Sequence, residues 1–359
     1  MKRPAYDSPS LPITWERMEY VEGTNEYIPI RPEFKSSIDA LYAEGHKQAL
    51  NGNPEVLLNV QKEFGENPYE LKNILKHWVR NPKDADLKVI PTDSIVIKVD
   101  KEAVRRSGML IPGDSIPDYM TISLKGKQAL YKSELMMLEM LAESNWERPL
   151  YIAVTVGSAN QLNMDNHLVQ EGLAYRFTPF DTSKTGVKVD SEKMFDNLMH
   201  KFKYGGVDKP GIYIDENAMR MCYTHRRIFA QLIQQLLAEG KNDKARQALE
   251  YAEKVLPAYN IPYDWQNGAA QLGEAWYRLG EQEKGDAILT ALADKAVEYC
   301  TWYLSLDNSR FMHSVSNLEY HWALLDALVK IMRQYQSPQA DIYLPKVDEI
   351  YNLYMERME

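Results

Sequence analysis

Cysteine is scarce in this sequence of 359 residues, which contains only Cys222 and Cys300. The two lie on separate predicted helices, so we expect two buried free thiols rather than a disulfide framework. No run of about 20 apolar residues is present, so no segment is predicted to span a bilayer. The N-terminus lacks the apolar core of a signal peptide. Taken alone, that start predicts a cytoplasmic chain, although a segment cut from a longer protein would look the same.

Catalytic motifs are also lacking. No glycine-rich phosphate loop follows a predicted strand, because Gly157-Ser158-Ala159-Asn160 lacks the later glycines of a dinucleotide fingerprint. No Gly-x-Ser-x-Gly elbow occurs, and neither cysteine belongs to a Cys-x-x-Cys pair. The 7 histidines are scattered, without metal-ligand spacing. We therefore predict no catalytic residue, no metal site and no cofactor in this chain.

Positive charge is in deficit, whereas aromatic residues are plentiful. The formal net charge of -9 disfavours nucleic acid and anionic membrane surfaces as general partners. The 23 tyrosines and 7 tryptophans stand out. Such side chains pack helices together, and they also form carbohydrate-binding or protein-binding surfaces. The length is enough for two or three domains.

The stretch from residue 131 to residue 180 predicts the core of the N-terminal part. Apolar residues recur at helical spacing up to Asn145, and Pro149 prevents the helix from continuing. A nearly continuous apolar run follows, which predicts a strand buried on both faces. Residues 162–170 are predicted to form a short helix. The predicted strands of this part are 94–99, 120–124, 150–156 and 173–177.

The sequence divides into three predicted parts. Residues 1–33 form an ordered aromatic arm, residues 34–210 an α/β or α+β domain, and residues 211–359 an all-helical domain. The boundary is predicted at residues 204–211, where glycine and proline are concentrated. Ser191 is predicted to cap a helix shortly before it.

The helical domain contains an internal repeat. Residues 236–245 align with residues 276–285, and the period of about 40 is typical of tetratricopeptide-like helix pairs. The small residues Ala245 and Gly285 occupy equivalent positions and allow close helix contact. The repeats predict a concave surface in the C-terminal part.

Two polar clusters have competing interpretations. Asp165-Asn166-His167 is either a helix cap with a surface histidine or part of a ligand site near a strand end. The start of the first repeat helix is crowded with Tyr223, His225, Arg226 and Arg227. That cluster forms either a salt-bridged face or an anion site.

Two short segments fit a modification pattern. Asp93-Ser94-Ile95 and Asp114-Ser115-Ile116 resemble the acceptor pattern of Bacteroidota-type protein O-glycosylation. The pattern is loose enough to occur about once by chance at average residue usage. Two matches therefore favour an extracytoplasmic location only slightly.

Six longer segments carry a family resemblance: residues 11–18, 22–29, 145–153, 171–176, 194–199 and 215–221. Together they resemble the C-terminal soluble region of Bacteroidota multi-spanning membrane proteins of unknown function. Those proteins in turn resemble protein O-mannosyltransferases. The resemblance covers essentially the whole chain, and its motifs are long enough to be specific.

The resemblance implies a tetratricopeptide-like C-terminus and an extracytoplasmic, periplasmic position. It also implies a parent protein with a membrane-embedded, glycosyltransferase-like half that uses lipid-linked sugars. That half is absent from this sequence and would be its partner. Because the catalytic acidic residues of such transferases would lie in the missing half, none is carried over to this chain.

The leading hypothesis is a non-catalytic periplasmic module that holds acceptor protein, glycan or another partner beside a membrane-bound transferase. The alternative is a stand-alone carbohydrate-active enzyme with Glu16, Glu26 and Glu147 as acid/base candidates, because glycoside chemistry needs paired carboxylates. Trp146 is predicted to fill the corner between helix and strand, and Arg148 to pair with a carboxylate. The candidate ligand-binding residues are Trp15, Glu16, Arg17, Glu26, Tyr27, Trp146, Glu147 and Arg148.

Overall fold

The computed structural model describes residues 27–84, 87–110 and 115–359. These residues form two compact units. The first contains the described residues up to Gln170 together with Ala174–Lys188, and the second contains Glu171–Leu173 together with Val189–Glu359. The division falls after Lys188, earlier than the predicted residues 204–211, because the helix that follows Asp190 packs with the second unit.

The first unit combines helices with small antiparallel sheets. Its strands are β1 (Tyr27–Pro29), β2 (Ser94–Lys98), β3 (Tyr119–Ser123), β4 (Ala129–Tyr131), β5 (Tyr151–Ala153), β6 (Leu168–Gln170) and β7 (Ala174–Phe177). Strand β1 pairs with β4, β2 pairs with β3, and the third sheet has the order β5-β7-β6. Every pairing between these strands is antiparallel, so the unit is α+β rather than a parallel α/β sheet.

Helices of the first unit form where apolar residues recur at helical spacing. Helix α1 ends before the Asn-Gly-Asn-Pro sequence of residues 51–54, and α4 ends before Gly108, whose φ of 71° suits a glycine. The helices are α1 (Phe34–Leu50), α2 (Glu55–Phe64), α3 (Leu71–Asn73), which continues as a π-helix (Ile74–Arg80), α4 (Lys101–Ser107), α5 (Lys132–Ser144) and α6 (Thr182–Thr185).

The predicted strand at residues 150–156 is wrong in length and in environment. Strand β5 has only 3 residues, lies at the edge of its sheet, and leaves Tyr151 50% exposed. The chain turns directly after it, where the N–H of Val156 donates to the carbonyl of Ala153. A continuous apolar run therefore does not distinguish a strand buried on both faces from a short edge strand that is followed by an apolar turn.

The predicted helix at residues 162–170 is also wrong. Leu162 and Asn163 have φ values of 51° and 54°, in the left-handed region that a right-handed helix cannot contain. A short 3₁₀ turn, Asp165–His167, and strand β6 follow instead. His167 is half-buried, with its Nδ1 atom 3.0 Å from the carbonyl oxygen of Phe180, so it is neither a surface histidine nor part of a helix cap.

An ion pair joins the π-helix to the core of the first unit. Glu139 on α5 is fully buried and accepts a hydrogen bond from Nε of Arg80 at 3.0 Å. Breaking such a pair by removing one partner typically costs roughly 3–5 kcal/mol. The pair therefore fixes the π-helix against α5. The apolar residues around it include Leu71, Ile74, Leu75, Ile95, Leu130, Leu135 and Leu138.

The second unit is all-helical in its described residues. Its helices are α7 (Ser191–Asp196), which continues as a π-helix (Asn197–Lys201), α8 (Glu216–Ala238), α9 (Asn242–Val255), α10 (Ala269–Arg278), α11 (Gln282–Leu304), α12 (Asn308–Gln334) and α13 (Gln339–Met358). Glycine or proline follows three of these helices, because α8 ends before Gly240, α9 before Pro257 and α10 before Gly280. The predicted cap is off by one residue, because the side chain of Asp190, not Ser191, accepts the N–H of Lys193.

The two aligned segments lie where α8 meets α9 and where α10 meets α11. A Cβ atom added to Gly285 on α11 would lie 2.9 Å from the carbonyl oxygen of Gly273, so the position has no room for a side chain. Ala245 takes the aligned position on α9 and is fully buried. Small residues at both positions let each helix pack closely against the one before it.

The buried cation of the second unit is Arg226 on α8, which is 1% exposed. Its guanidinium donates to the carbonyl oxygens of Leu256, Ile261 and Pro262 at 2.7, 2.6 and 2.9 Å. For Arg226, both predicted roles, a salt-bridged face and an anion site, are therefore wrong. The side chain instead joins α8 to the end of α9 and to the segment that follows it.

Substitution of this arginine tests that role. Arg226→Met should lower the free energy of unfolding of the second unit by about 3 kcal/mol or more, because the buried carbonyl groups of Leu256 and Ile261 lose their donor. The exposed neighbour provides the control, and Arg227→Met should change the value by less than about 0.5 kcal/mol. Urea denaturation with hydrogen exchange of α8 and α9 measures both. Equal effects of the two substitutions would contradict the assignment.

Candidate functional site

The structure separates the residues that the sequence predicts as ligand-binding. Trp15, Glu16, Arg17 and Glu26 lie outside the described residues. Glu147 and Arg148 are exposed on the turn after α5. Tyr27 and Trp146 line two different cavities of the first unit, so they do not form one site.

Trp146 packs into the corner that follows α5. It is 6% exposed, its ring stacks on Phe177 with the centroids 5.6 Å apart, and its Nε1–H donates to the carbonyl of Lys98 at 2.8 Å. Asn145 and Trp146 have φ values of 47° and 63°, a strained backbone that persists only where the surroundings hold it. The indole is thus a packing element with a satisfied polar end.

A cavity of about 420 Å³ lies beside Trp146, and several of its polar side chains already have partners within the protein. Glu70 accepts the N–H groups of Lys72 and Asn73. The ammonium of Lys72 donates to Oδ1 of Asn145 at 2.8 Å, and Asn73 donates to the carbonyl of Asn67 at 2.8 Å. Burial raises the pKa of Glu70. These bonds hold the corner together and use the polar groups of Glu70, Lys72, Asn73 and Asn145 within the fold.

Tyr27 lies on an open groove of about 740 Å³. It faces Tyr131 across the β1–β4 pair, with ring centroids 6.0 Å apart and both rings more than half exposed. Lys127 and Glu134 form an ion pair at 2.7 Å in the same groove. The groove has an aromatic wall, but the charges of Lys127 and Glu134 pair with each other.

A third cavity, in the second unit, combines aromatic rings with free polar groups. We call it the tyrosine cleft; it lies between α11 and α12 and has a volume of about 360 Å³. Residues four apart share one face of a helix, which places Lys295, Tyr299 and Tyr303 in a row along α11. The cleft is lined by Asp264, Trp265, Gln266, Leu292, Lys295, Ala296, Tyr299, Tyr303, Asn317, Tyr320, His321, Leu324 and Leu328.

The rings of the tyrosine cleft form a ladder. Tyr299 stacks on His321 with the centroids 4.3 Å apart and the planes at 14°. Tyr303 lies 6.0 Å from His321 at 26°. Tyr299 and Tyr320 remain 37% and 43% exposed, so part of each ring faces solvent. Stacking holds the rings in place before any ligand arrives.

Polar ends in the tyrosine cleft have no protein partner among the described residues. This holds for the hydroxyl groups of Tyr299, Tyr303 and Tyr320 and for the indole N–H of Trp265. Packed aromatics elsewhere in the unit behave differently, as when Trp276 donates to Glu253 at 2.7 Å. Tyr and Trp usually find a partner when buried, so the unpaired polar ends of these partly exposed rings are available to a polar ligand.

Charge in the tyrosine cleft comes from one fixed pair. Nζ of Lys295 donates to Oδ2 of Asp264 at 2.8 Å, and Asp264 also accepts the N–H of Gln266 at 3.0 Å. Desolvation opposes protonation of Lys295, but the hydrogen bond to Asp264 and the nearby negative charges, that of Asp264 first, together outweigh it and raise the pKa of Lys295. Burial lowers the pKa of His321, and nearby Lys295 lowers it further. At neutral pH the cleft therefore holds one ammonium, one carboxylate partner and a neutral imidazole.

Sequence reasoning did not single out the tyrosine cleft. The available signals were the high tyrosine content and the four-residue spacing of Lys295, Tyr299 and Tyr303 on one helix face. That spacing also fits ordinary helix packing, so it does not by itself separate a binding surface from a core. What separates them is the lack of partners for the polar ends, which only the fold reveals.

Neither cysteine is among the described residues that line the tyrosine cleft. Cys222 and Cys300 are both free and buried, as predicted, and burial raises the pKa of Cys300 to about 12. Across residues 27–84, 87–110 and 115–359, no group of three or more His, Cys, Asp or Glu side chains is arranged to hold a metal ion. Over the same ranges, no helix is both long and apolar enough to cross a membrane.

Fold and site together define a two-unit protein, with an α+β unit followed by a helical unit that carries an aromatic cleft. The model of the family described as TMEM260-associated domain 2 matches residues 1–196. The chain therefore belongs to that family. No curated protein matches the chain, and no solved structure does.

Removal of the corner indole tests its packing role. Trp146→Ala should lower the free energy of unfolding of the first unit by roughly 3–5 kcal/mol, as for a large aromatic taken from a core. Trp302→Ala is the matched control, because Trp302 is 53% exposed and its removal should cost less than about 0.5 kcal/mol. Urea denaturation followed by circular dichroism measures both. A Trp146 variant as stable as the control would contradict the packing role.

Acidification tests the environment of His321. Its pKa is lower in the folded chain than the value of about 6.5 expected when unfolded, so acid favours the unfolded state. The stability of the chain should therefore fall as the pH is lowered from the unfolded pKa of His321 through its folded pKa. The His321→Phe variant should lose less stability over the same pH range. Hydrogen exchange of α12 between neutral pH and pH of about 5 gives the readout, with exposed His313→Phe as control. Identical pH profiles for wild type and His321→Phe would contradict this prediction.

Proposed function

We propose that this chain is a non-catalytic carbohydrate-binding module, and that the tyrosine cleft is its binding site. The observation that carries the proposal is the set of half-exposed rings whose hydroxyl and N–H groups have no protein partner among the described residues. A pyranose ring has an apolar face of C–H groups and a rim of hydroxyl groups. Aromatic rings with polar ends match both features.

The ion pair in the cleft suits a polyol. Lys295 has three N–H donors and uses one on Asp264, so two remain for sugar oxygens. Hydrogen bonds that involve a charged group are shorter and stronger than neutral ones. Asp264 is held by its bonds to Lys295 and to the N–H of Gln266, so both groups are fixed before binding. A fixed donor beside a fixed acceptor fits two neighbouring hydroxyl groups.

The same proposal includes the repeats, the location and the partner of this chain. The pairs α8–α9 and α10–α11 are tetratricopeptide-like repeats, supported by the aligned small residues Ala245 and Gly285. The module lies in the periplasm and works beside a membrane-embedded half that resembles protein O-mannosyltransferases. Its role is to hold a glycan or a glycan-bearing acceptor protein near that half. The motif resemblance and membership of the TMEM260-associated domain 2 family support this setting.

The competing hypothesis is a stand-alone carbohydrate-active enzyme. It needs two facing carboxylates, and Glu16 and Glu26 lie outside the described residues while Glu147 is exposed on a turn. In the tyrosine cleft, Asp264 is the one carboxylate among the described lining residues. The geometry of the cleft therefore favours binding over turnover.

Loss of one ring tests the proposal. The purified chain is screened on a glycan array, and the strongest glycan is titrated by calorimetry. Tyr299→Ala should weaken binding by about tenfold or more, equivalent to roughly 1.4 kcal/mol, because the sugar loses a stacking face and a hydroxyl partner. Tyr299→Phe keeps the ring and should lose less.

Controls separate the cleft from general stickiness. Tyr213 is 91% exposed in a loop of the same unit, and Tyr213→Ala should bind the glycan as wild type does. No glycan above background would overturn the proposal, as would unchanged affinity in Tyr299→Ala. Transfer or hydrolysis of a sugar by the purified chain would instead support the enzyme hypothesis.

A further inference from the structure

A second cavity of the helical unit adjoins the tyrosine cleft. We call it the glutamine cleft; its volume is about 500 Å³. Trp265 and Gln266 line both cavities, so one short turn forms a wall shared by the two. The glutamine cleft is lined by Val189, Arg227, Ala230, Gln231, Gln234, Gln235, Trp265, Gln266, Gly268 and Gln271.

Four polar side chains of the glutamine cleft lie in a row on α8. Arg227, Gln231, Gln234 and Gln235 share one face of α8, since residues three or four apart are neighbours on a helix. From Arg227 to Gln235 the row covers about 12 Å at 1.5 Å per residue. That is the length of roughly four residues of extended chain.

Free hydrogen-bonding capacity is present in this row and beside it. The side chains of Gln266, Gln271 and Arg227 have no hydrogen-bond partner among the described residues. Gln234 is fixed in position, because it donates to the carbonyl of Gln271 at 3.1 Å and accepts from Arg278 at 3.1 Å. A carboxamide offers donors and an acceptor, as a peptide group does, so glutamines can pair with backbone N–H and C=O groups.

Gly268 keeps the shared wall in place. Its φ is 80°, and a Cβ atom added to it would lie 2.8 Å from Cβ of Ala230 and 3.2 Å from Cα of Arg227. The turn therefore sits directly on α8, closer than any other residue would allow. Trp265 and Gln266 belong to this turn, so the position of one cavity relative to the other is fixed.

We propose that the two cavities together bind a glycosylated segment of extended polypeptide, with the sugar in the tyrosine cleft and the peptide backbone along the glutamine cleft. The inference rests on the proposed carbohydrate function and adds the aglycone to it. A longer free oligosaccharide fits less well, because Trp265 is the one aromatic residue among the described lining of the glutamine cleft, and it is shared. Carboxamides without further stacking faces suit a backbone better than a second sugar ring.

The test compares three probes on the full chain by calorimetry. They are the pentapeptide Gly-Ala-Ser-Ala-Gly with one O-linked hexose (glucose, galactose or mannose in separate samples), the same peptide without sugar, and the matching methyl hexoside. The glycopeptide should bind about tenfold or more tightly than the methyl hexoside, because the peptide contacts become intramolecular once the sugar is bound. Gln271→Ala should remove that gain and leave methyl hexoside binding unchanged.

The outcomes separate this inference from the function on which it rests. Tyr299→Ala should weaken binding of both the glycopeptide and the methyl hexoside, and Gln247→Ala, an exposed glutamine on α9, should change neither. Equal affinity of the glycopeptide and the methyl hexoside would overturn the peptide contact and leave the carbohydrate site standing. Failure of every hexose-bearing probe to bind would overturn the carbohydrate site itself. Equal binding of the bare peptide and the glycopeptide would overturn the link between the two cavities.

Discussion

The helical unit depends on one buried interaction, the guanidinium of Arg226 bound to three carbonyl oxygens. Those carbonyls belong to Leu256, at the end of α9, and to Ile261 and Pro262, in the segment that leads to Trp265. A helix end leaves carbonyl groups without partners, and a buried one must be satisfied by some donor. By supplying that donor from α8, the chain fixes the turn that forms a wall of both cavities. The geometry of the two cavities therefore depends on the hydrogen bonds of Arg226 as well as on the residues that line them.

Much of the helical unit could be predicted from the sequence, because glycine and proline end helices at Gly240, Pro257 and Gly280 through local backbone constraints. The first unit could be predicted only in outline. The backbone of Leu162 and Asn163 is left-handed, which prevents a helix there although both side chains are compatible with one. Composition gives no sign of this backbone conformation. The apolar run at residues 150–156 has the composition of a buried strand but forms a short edge strand and a turn.

The candidate site was harder to predict than the fold, for a physical reason. Tyrosines at helical spacing pack cores as readily as they bind ligands, so the spacing of Tyr299 and Tyr303 is ambiguous. The distinction lies in whether each hydroxyl group finds a partner, and that depends on side chains far away in sequence, as with Tyr343 and Asp294. Trp146 is the opposite example, because the sequence singles it out as a ligand-binding residue. In the structure its ring stacks on Phe177 and its N–H donates to the carbonyl of Lys98.

The pairing of β1 with β4 has a consequence for how the chain acquires its structure. It joins Tyr27 to Tyr131, about a hundred residues apart, whereas β2 with β3 and the helix pairs of the second unit join near neighbours. Contacts of long sequence separation need a large loop to close and form slowly, while local contacts form early. During synthesis the β1 segment must therefore wait for α1 to α4 and β4 to emerge before it can dock. The first segment of the described chain to leave the ribosome is thus among the last to reach its final place.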